Sequence, residues 1–465
     1  MAHPLLDISG TTGARLIRGA SPETWPQVAS ALSPTARAFA KAQDFAPKPG
    51  AVLIVPDAEG AIEAVVLGDD PADPFAAGKL PAMLPEGAYA FAAAPRDPAL
   101  ATLAWLLGSY AFTRYGAKPV KAVRLVPPDG VDADEVSRIA AAVAGGRDLI
   151  NTPANDLGPE EIEAAARRLA EAHKAEIACV VGDDLIVQNF PMIHAVGRAS
   201  PRLPRLIDMR WGAPGAPKVT VVGKGVAFDT GGLDIKPGAS MLLMKKDMGG
   251  AAAALALADM IMGARLPVRL RVLIPAVENA ISGSAFRPGD VLPSRKGLTV
   301  EIGNTDAEGR LILADALALA DEEEPDLIVD FATLTGAART ALGPDLPPFY
   351  TEDDALAADL ARLGMVVNDP VWRLPLWRPY ARMLESKIAD VNHVSSGPMA
   401  GSITAALFLR RFAPRARAHV HFDIYAWTPK AKPGRPEGGE VQGARVVYAL
   451  LRERYGGAGP DATPR

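Results

Sequence analysis

The chain has 465 residues, of which 49% are hydrophobic and 22% are charged, a composition typical of folded globular proteins rather than fibrous or disordered chains. The length predicts roughly two or three domains. Because 49 Lys and Arg residues face 54 Asp and Glu residues, the formal net charge of −5 supplies no overall attraction to nucleic-acid phosphates or anionic lipids. The single cysteine, Cys179, excludes an intrachain disulfide and a cysteine-based zinc site.

Targeting and membrane signals are not visible in the sequence. Residues 1–20 lack the basic stretch followed by an apolar core that is typical of a secretory signal. The longest apolar stretch, residues 251–264, contains Asp259 and is shorter than the roughly 20 residues that span a bilayer. We therefore expect a cytoplasmic protein with no membrane partner.

The N-terminal part predicts a small α/β unit without a catalytic cluster. Its predicted elements are a hairpin at residues 51–55 and 62–67, an apolar helix at residues 100–112 and a strand at residues 122–126. Pro127 and Pro128 end this unit, and helical spacing of apolar residues follows Asp132. We therefore expect an N-terminal α/β domain at residues 1–130 and a connecting helix at residues 131–146.

The remainder, residues 147–465, predicts a larger α/β domain with a mixed, largely parallel sheet, because β-branched runs alternate with helical patterns. The predicted strands are residues 205–211, 218–223, 269–276, 298–303, 327–331 and 419–427. The predicted helices are residues 248–262, 309–320 and 401–412. The fold class is therefore α/β, with a small and a large α/β domain joined by a helix.

Charges and glycines gather where predicted strands lead into helices, at residues 223–250 and 303–310. In a parallel sheet such segments meet at the carboxyl edge, where open α/β sheets bind ligands. The grouped charges are Asp229, Asp247, Asp306 and Glu308 with Lys224, Lys236 and Arg310. Four carboxylates repel one another unless metal ions neutralise them, and a pair of divalent ions about 3.5 to 4 Å apart suits such ligands. The pattern predicts a two-metal hydrolase, and a two-metal phosphohydrolase fits the carboxylates alone.

The same residues also have structural interpretations. Asp247 could cap a helix, and Asp306 and Glu308 could complement a helix dipole. Lys245 and Lys246 are expected to be solvated neighbours rather than ligands. None of the six histidines is followed by Glu, so the His-Glu-x-x-His zinc motif is absent. For the two histidines of the last predicted strand, His419 and His421, a packed or hydrogen-bonded pair is favoured over a metal pair.

The segment Asn304-Thr305-Asp306-Ala307-Glu308-Gly309-Arg310-Leu311, together with residues 224–247, resembles the leucyl aminopeptidase family of dinuclear metallo-exopeptidases. The resemblance covers roughly residues 146–450 and makes the larger domain the catalytic one. Further matching segments are Asn151-Thr152-Pro153-x-Asn155, Glu278-Asn279, residues 287–291, residues 333–337 and residues 401–406. Lys246 departs from the family pattern, since this position is commonly aromatic or apolar.

The resemblance implies a metal-dependent aminopeptidase with two divalent ions per subunit, Mn²⁺ or Zn²⁺. Asp229 and Glu308 would bridge the two ions. Lys224, as a neutral amine, and Asp247 would complete one site, and Asp306 would complete the other.

The resemblance also implies roles around the metals. Lys236 would stabilise the oxyanion, and Arg310 would hold a bicarbonate ion that acts as general base. Met244, Thr333 and Gly336 would line the first side-chain pocket, which suggests an apolar N-terminal residue such as leucine. The substrate would be a peptide with a free N-terminus.

Assembly and nucleic-acid binding are the remaining expectations. The family forms homohexamers, so we expect a hexamer. Some members also bind DNA as architectural or regulatory proteins, for which this chain offers the arginines of residues 410–417. A solvated helix end is the favoured interpretation of that run, so we expect no nucleic-acid partner.

Overall fold

A computed structural model describes residues 3–8, 10–116 and 121–457. The chain divides into two compact units, which meet in sequence inside one helix. The first unit comprises Met1–Ala144 with Lys430–Glu437, and the second comprises Gly145–Pro429 with Gly438–Arg465. Both units are α/β, which confirms the predicted fold class.

The first unit contains a sheet with the strand order β2-β3-β1-β4-β5. Its strands are β1 (Arg15–Ala20), β2 (Val52–Pro56), β3 (Ile62–Gly68), β4 (Gly87–Phe91) and β5 (Val123–Leu125). Its helices are α1 (Trp25–Ser30), α2 (Pro34–Ala42), α3 (Leu80–Met83), α4 (Pro98–Gly108) and a 3-10 helix (Ala76–Lys79), followed by α5 (Ala133–Asn151). The predicted hairpin is present, because β2 and β3 pair antiparallel, whereas the other pairs of this sheet are parallel.

The second unit contains the larger sheet and most of the helices. Its helices are α6 (Pro159–His173), α7 (Asp184–Val187), α8 (Pro191–Gly197), α9 (Gly238–Met241), α10 (Gly249–Gly263), α11 (Glu308–Asp321), α12 (Gly336–Leu342), α13 (Asp354–Val366), α14 (Gly401–Arg410) and α15 (Ala444–Tyr455). Short 3-10 helices cover Met244–Met248, Thr305–Ala307 and Arg378–Leu384.

The strands of this unit are β6 (Glu176–Val181), β7 (Arg205–Trp211), β8 (Lys218–Gly223), β9 (Gly225–Asp229), β10 (Arg269–Asn279), β11 (Val291–Pro293), β12 (Thr299–Glu301), β13 (Leu327–Ala332), β14 (Pro348–Tyr350), β15 (Trp372–Arg373), β16 (Val391–Asn392), β17 (His419–Asp423), β18 (Trp427–Thr428) and β19 (Gly438–Gly439). The main sheet has the order β15-β14-β17-β13-β8-β10-β7-β6, and β9 also pairs with β10.

The main sheet is mixed and largely parallel, as predicted. Its centre, from β17 through β13 and β8 to β10, pairs in parallel, whereas β7 pairs antiparallel with both β10 and β6. Central parallel strands are covered on both faces, which is why β8 reads as a continuous β-branched run. Val219, Val221 and Val222 of that strand are all buried.

Helix α10 explains the longest apolar stretch of the sequence. It packs against β8 and β13 and also against α6 and α15, so nearly its whole circumference is buried. Its one charged residue, Asp259, pairs with His173 at 2.7 Å. Within the described residues, no helix combines the length and apolar character needed to cross a membrane.

Several elements end elsewhere than the sequence predicts, and the largest differences are at the connecting helix and the last long strand. Helix α5 continues to Asn151, beyond the expected end at residue 146. The run predicted as one strand at residues 419–427 is β17 followed by a break, because Ala426 takes a positive φ of 57° that no strand permits. Beyond this break, β18 pairs antiparallel with β19.

Candidate metal centre

Lys224 and Asp229 lie at the carboxyl ends of strands of the main sheet, as predicted, whereas Asp306 and Glu308 follow β12, which pairs with β11 and β16 in a separate small sheet. Lys224 directly follows β8, and Asp229 is the last residue of β9. Asp247 lies in the 3-10 helix that leads into α10. Asp306 lies in the 3-10 helix before α11, and Glu308 is the first residue of α11. The fold therefore brings together side chains that are up to 84 residues apart in sequence.

The three carboxylates of Asp229, Asp306 and Glu308 each offer an oxygen within 4.8 Å of the others. Two lysines lie among them. The Lys224 Nζ atom is 2.7 Å from Asp247 Oδ2 and 2.9 Å from Glu308 Oε1. Lys236 Nζ is 2.8 Å from Asp229 Oδ2 and also pairs with Asp306. All the proposed metal ligands are thus brought into one cluster.

The oxygens of this cluster fit divalent cations. Within the part of the chain that the structure describes, the buried oxygens Asp247 Oδ2, Asp306 Oδ1 and Glu308 Oε1 have only the ion pairs with the two lysines, and Glu308 Oε2 is buried without a partner. A buried carboxylate oxygen in that state is costly unless a cation compensates it. Lys224 and Lys236 are the cations closest to these oxygens. Four carboxylates and one amine form a donor set that suits divalent metals.

The pKa values show how crowded with negative charge the cluster is. Burial, together with the neighbouring Asp247 carboxylate, raises the pKa of Asp229 to about 6. Burial and Asp229 raise the pKa of Glu308 well above its usual value. Burial alone would lower the pKa of Lys224, but Asp247, Glu308 and Asp229 raise it above the usual value. The cluster therefore attracts positive charge strongly.

Neighbouring groups fix the orientation of the ligands. Asn279 donates from Nδ2 to Asp229 Oδ1 at 2.8 Å, and Thr333 donates from Oγ1 to Asp247 Oδ1 at 2.8 Å. Such supporting hydrogen bonds orient metal ligands. The orienting role of Asn279 is not visible in the sequence, although Glu278-Asn279 is among the segments that resemble the family. Gly309 admits Lys224, because a Cβ at residue 309 would lie 2.5 Å from Lys224 Cε.

Arg310 is buried beside the cluster in a setting that suits an anion. Its Nη1 donates to the His393 carbonyl oxygen at 2.8 Å. Its Nε atom is buried and has no hydrogen-bond partner among the described residues. Burial lowers the pKa of Arg310 to about 10 and that of His393 to about 3, so the charge here resides on the guanidinium. An unpartnered buried N–H next to a full charge fits a small oxyanion.

These residues line a cavity of about 300 Å³. Of the residues predicted from the sequence, all but Glu308 lie on its wall: Lys224, Asp229, Lys236, Met244, Asp247, Asp306, Arg310, Thr333 and Gly336. The ions, the oxyanion-stabilising lysine and the side-chain pocket that the resemblance implies would therefore share one cavity.

One expectation about this wall is wrong. Lys246 is not a solvated neighbour, because only 2% of it is exposed. Its 3-10 helix forms part of the cavity wall, and Lys246 Nζ lies 4.8 Å from the ring centroid of Tyr425. Burial, with a smaller contribution from Arg339, lowers the pKa of Lys246 to about 7. Lys245 is only partly exposed and donates to the Asn151 carbonyl oxygen at 2.7 Å.

Comparisons with known proteins identify the family. Residues 145–448 match the cytosol aminopeptidase family, catalytic domain, and residues 14–128 match the M17 aminopeptidase N-terminal domain. A probable cytosol aminopeptidase of Roseiflexus castenholzii is 42% identical over 365 residues, 75% of this chain and 75% of that protein.

Solved structures agree with this assignment. The crystal structure of cytosol aminopeptidase from Coxiella burnetii matches with a TM-score of 0.90 and 45% identity, over 95% of this chain and 97% of that one. The bottromycin maturation enzyme BotP in complex with Mn matches with a TM-score of 0.84 and 33% identity, over 94% of this chain and 98% of that one.

The family match includes every residue of the cluster, so it separates the peptidase from the phosphohydrolase that the carboxylates alone would allow. Members of this family are hydrolases that depend on divalent metals. The chain belongs to the cytosol aminopeptidase, or leucyl aminopeptidase, family (M17) and is a metallo-aminopeptidase.

Proposed function

We propose that the chain removes N-terminal residues from peptides by means of two divalent cations. Asp229 and Glu308 would bridge the cations, with Lys224 and Asp247 completing one site and Asp306 the other. The observation that carries this proposal is the group of buried carboxylate oxygens whose only partners are two lysines, with Glu308 Oε2 left without one. Mn²⁺ and Zn²⁺ are the candidate ions, and manganese is bound in the related BotP.

The ligands and Lys236 divide the chemistry between them. When bound, the cations would supply the Lewis acidity that activates water and polarises the scissile carbonyl. Lys224 must lose its proton to serve as a ligand, which couples metal binding to proton release.

Lys236 would donate from its ammonium group to the carbonyl oxygen of the scissile bond, where negative charge develops. Burial alone would lower the pKa of Lys236, but Asp229 and Glu308 raise it above its usual value. Lys236 therefore keeps the charge that this role needs.

Arg310 would hold a bicarbonate ion. The unpartnered Nε and the charge of the buried guanidinium support this assignment. Bicarbonate would supply a general base, a role for which the cavity wall carries no histidine among the described residues. Arg310 keeps its orientation through the hydrogen bond to the His393 carbonyl oxygen.

The substrate would be a peptide with a free N-terminus, and its first side chain would lie against Met244, Thr333 and Gly336. The side chain of Met244 and the methyl group of Thr333 offer apolar contact, so a leucine-like residue would be accepted. The setting would be the cytoplasm, and the assembly a homohexamer.

Replacing Glu308 tests the proposal. The variant Glu308→Gln should lower kcat/KM for leucine para-nitroanilide by more than about 100-fold, the upper range for loss of a group that merely supports a ligand. In the metal-free protein its melting temperature should change only slightly, because the substitution removes repulsion from Asp229 and Asp247 together with the ion pair to Lys224. Glu171→Gln, at an exposed position of α6, is the matched control and should keep full activity. Activity of Glu308→Gln within a few-fold of the parent would contradict the proposal.

A further inference from the structure

Two cations that the proposed mechanism does not use lie side by side on the cavity wall. Lys246 comes from the 3-10 helix before α10, and Arg339 comes from α12. Lys246 Nζ is 4.8 Å from the centroid of the Tyr425 ring, and Arg339 Cζ is 5.3 Å from the same centroid. Both side chains line the cavity that contains the candidate metal ligands.

Neither side chain has an anionic partner in the described part of the chain. Among the described residues, Lys246 makes no side-chain hydrogen bond or ion pair, although only 2% of it is exposed. The Nη1 atom of Arg339 is also buried and without a hydrogen-bond partner. The contacts with Tyr425 compensate these charges in part, since a ring face attracts a cation. Buried donors in this condition are costly unless a ligand completes them.

The nearest acids are already engaged. Asp423 accepts from Thr335 Oγ1 at 2.5 Å and from Ser402 Oγ at 2.9 Å, and the backbone N–H groups of Leu334 and Thr335 donate to its other oxygen. Asp247 pairs with Lys224 at 2.7 Å. The N–H donors of Lys246 and Arg339 therefore face the cavity without an ion-pair partner among the described residues.

Their position is that of the first side-chain pocket. Arg339 Nη2 lies 3.9 Å from the point that a Cβ at Gly336 would occupy. Lys246 is two residues from Met244 on the same 3-10 helix. Gly336 and Met244 are the residues proposed to contact the first side chain of the substrate. An anion held by Lys246 and Arg339 would therefore belong to that side chain.

We propose that Lys246 and Arg339 bind the side-chain carboxylate of an acidic first residue, so that the enzyme releases N-terminal glutamate or aspartate in preference to glutamine or asparagine. This inference rests on the proposed function. The aliphatic part of the side chain would pack on Met244, while its carboxylate meets the two cations. Leucine would still be accepted, but the preference departs from the leucine-like specificity that the family resemblance implies.

The test compares two para-nitroanilides of nearly equal shape, those of glutamate (linked through its α-carboxyl) and glutamine, with the metal-loaded enzyme. The expected kcat/KM ratio favours glutamate by at least about tenfold, as for a single charge-assisted hydrogen bond. Lys246→Met and, separately, Arg339→Met should bring the ratio close to one while leucine para-nitroanilide is still hydrolysed. Lys245→Met is the matched control, because Lys245 does not line the cavity, and should keep the ratio.

A ratio at or below one in the parent enzyme, or an unchanged ratio in both cavity variants, would overturn the inference. The same carboxylate chemistry could come from the C-terminus of a dipeptide. The ratio of kcat/KM for Leu-Gly to that for Leu-Gly-amide tests this second source. If Lys246→Met and Arg339→Met change only the Leu-Gly ratio and not the glutamate-to-glutamine ratio, the side-chain assignment is wrong.

Binding measurements separate failure of this inference from failure of the proposed function. If leucine para-nitroanilide is not hydrolysed at all, the proposed function fails. Calorimetry with free L-glutamate and L-glutamine then decides the inference, which requires tighter glutamate binding that Lys246→Met removes. Equal binding of the two amino acids would overturn it.

Discussion

Lys236 lies between two candidate ligands, 2.8 Å from Asp229 Oδ2 and in an ion pair with Asp306. A cation held in this way costs no reorganisation when negative charge develops on a bound carbonyl. Its proposed role as donor to the oxyanion is distinct from metal binding, so its loss should affect the chemical step more than substrate binding.

For Lys236→Met we predict a fall in kcat of about 10² to 10³, the range for loss of one oxyanion donor, with KM changed only a few-fold. Steady-state kinetics on leucine para-nitroanilide measures both constants. Lys387→Met, at an exposed position of the same unit, is the control. A rise in KM with kcat preserved would show that Lys236 stabilises the bound substrate and the transition state equally, which would contradict the oxyanion role.

At this scale the sequence predicts the candidate cluster well because its residues fall in short, specific segments. The motif at residues 304–311 contains Asp306, Glu308 and Arg310 within five positions. The burial of Lys246 could not be predicted in this way. A lysine beside a ligand is usually solvated, and its burial depends on Tyr425, which is far along the chain and reaches it only in the folded structure.

At the scale of elements, the parallel pairing of β13 with β17 places His419 and His421 on either side of one acid. Asp330 accepts from His421 Nδ1 at 2.5 Å and from His419 Nε2 at 2.7 Å. The expectation that these histidines are hydrogen-bonded is therefore met. Burial alone would raise the pKa of Asp330, but the charge of His421 and the two hydrogen bonds lower it below its usual value.

Because folding lowers the pKa of Asp330, the stability it contributes is present above the unfolded-state pKa of about 4 and is lost as the pH falls through the folded-state value. We predict that Asp330→Asn lowers the free energy of unfolding by about 3 to 5 kcal/mol at pH 7, as for a broken buried pair. The difference from the parent should shrink below about pH 4. Urea unfolding at several pH values checks this, and a difference that does not vary with pH would contradict it.

The elements themselves divide into predictable and unpredictable ones for a physical reason. Strand β8 lies where its β-branched, buried run predicts it, since burial on both faces leaves a strong pattern. The end of β17 could not be predicted, because Tyr425 and Trp427 continue a β-favouring run and only the positive φ of Ala426 interrupts it.

At the scale of the whole molecule, three of the four arginines at residues 410–417 are paired with acidic side chains. Arg410 pairs with Glu352 at 2.9 Å, Arg415 with Asp321 at 3.3 Å and Arg417 with Asp326 at 3.0 Å. Paired arginines attract phosphates weakly, which supports the expectation that nucleic acid is not a partner.

Association of subunits is the other property of the whole molecule. Large apolar side chains are exposed on segments near the candidate site, with Leu242 85%, Met399 77% and Ile235 59% exposed. Exposed apolar groups mark interaction surfaces. We predict that sedimentation velocity at micromolar concentration gives one species with the mass of six chains. A monomer or dimer under these conditions would contradict the proposed hexamer.

The central claim is that a pair of divalent cations in this cluster performs aminopeptidase chemistry, and metal depletion tests it most directly. Initial rates on leucine para-nitroanilide would be measured after chelation, and again after separate addition of Mn²⁺, Zn²⁺ and Mg²⁺. We predict that chelation abolishes turnover and that Mn²⁺ or Zn²⁺ restores it. Full activity in the chelated protein, or no recovery with any of the three ions, would contradict the account.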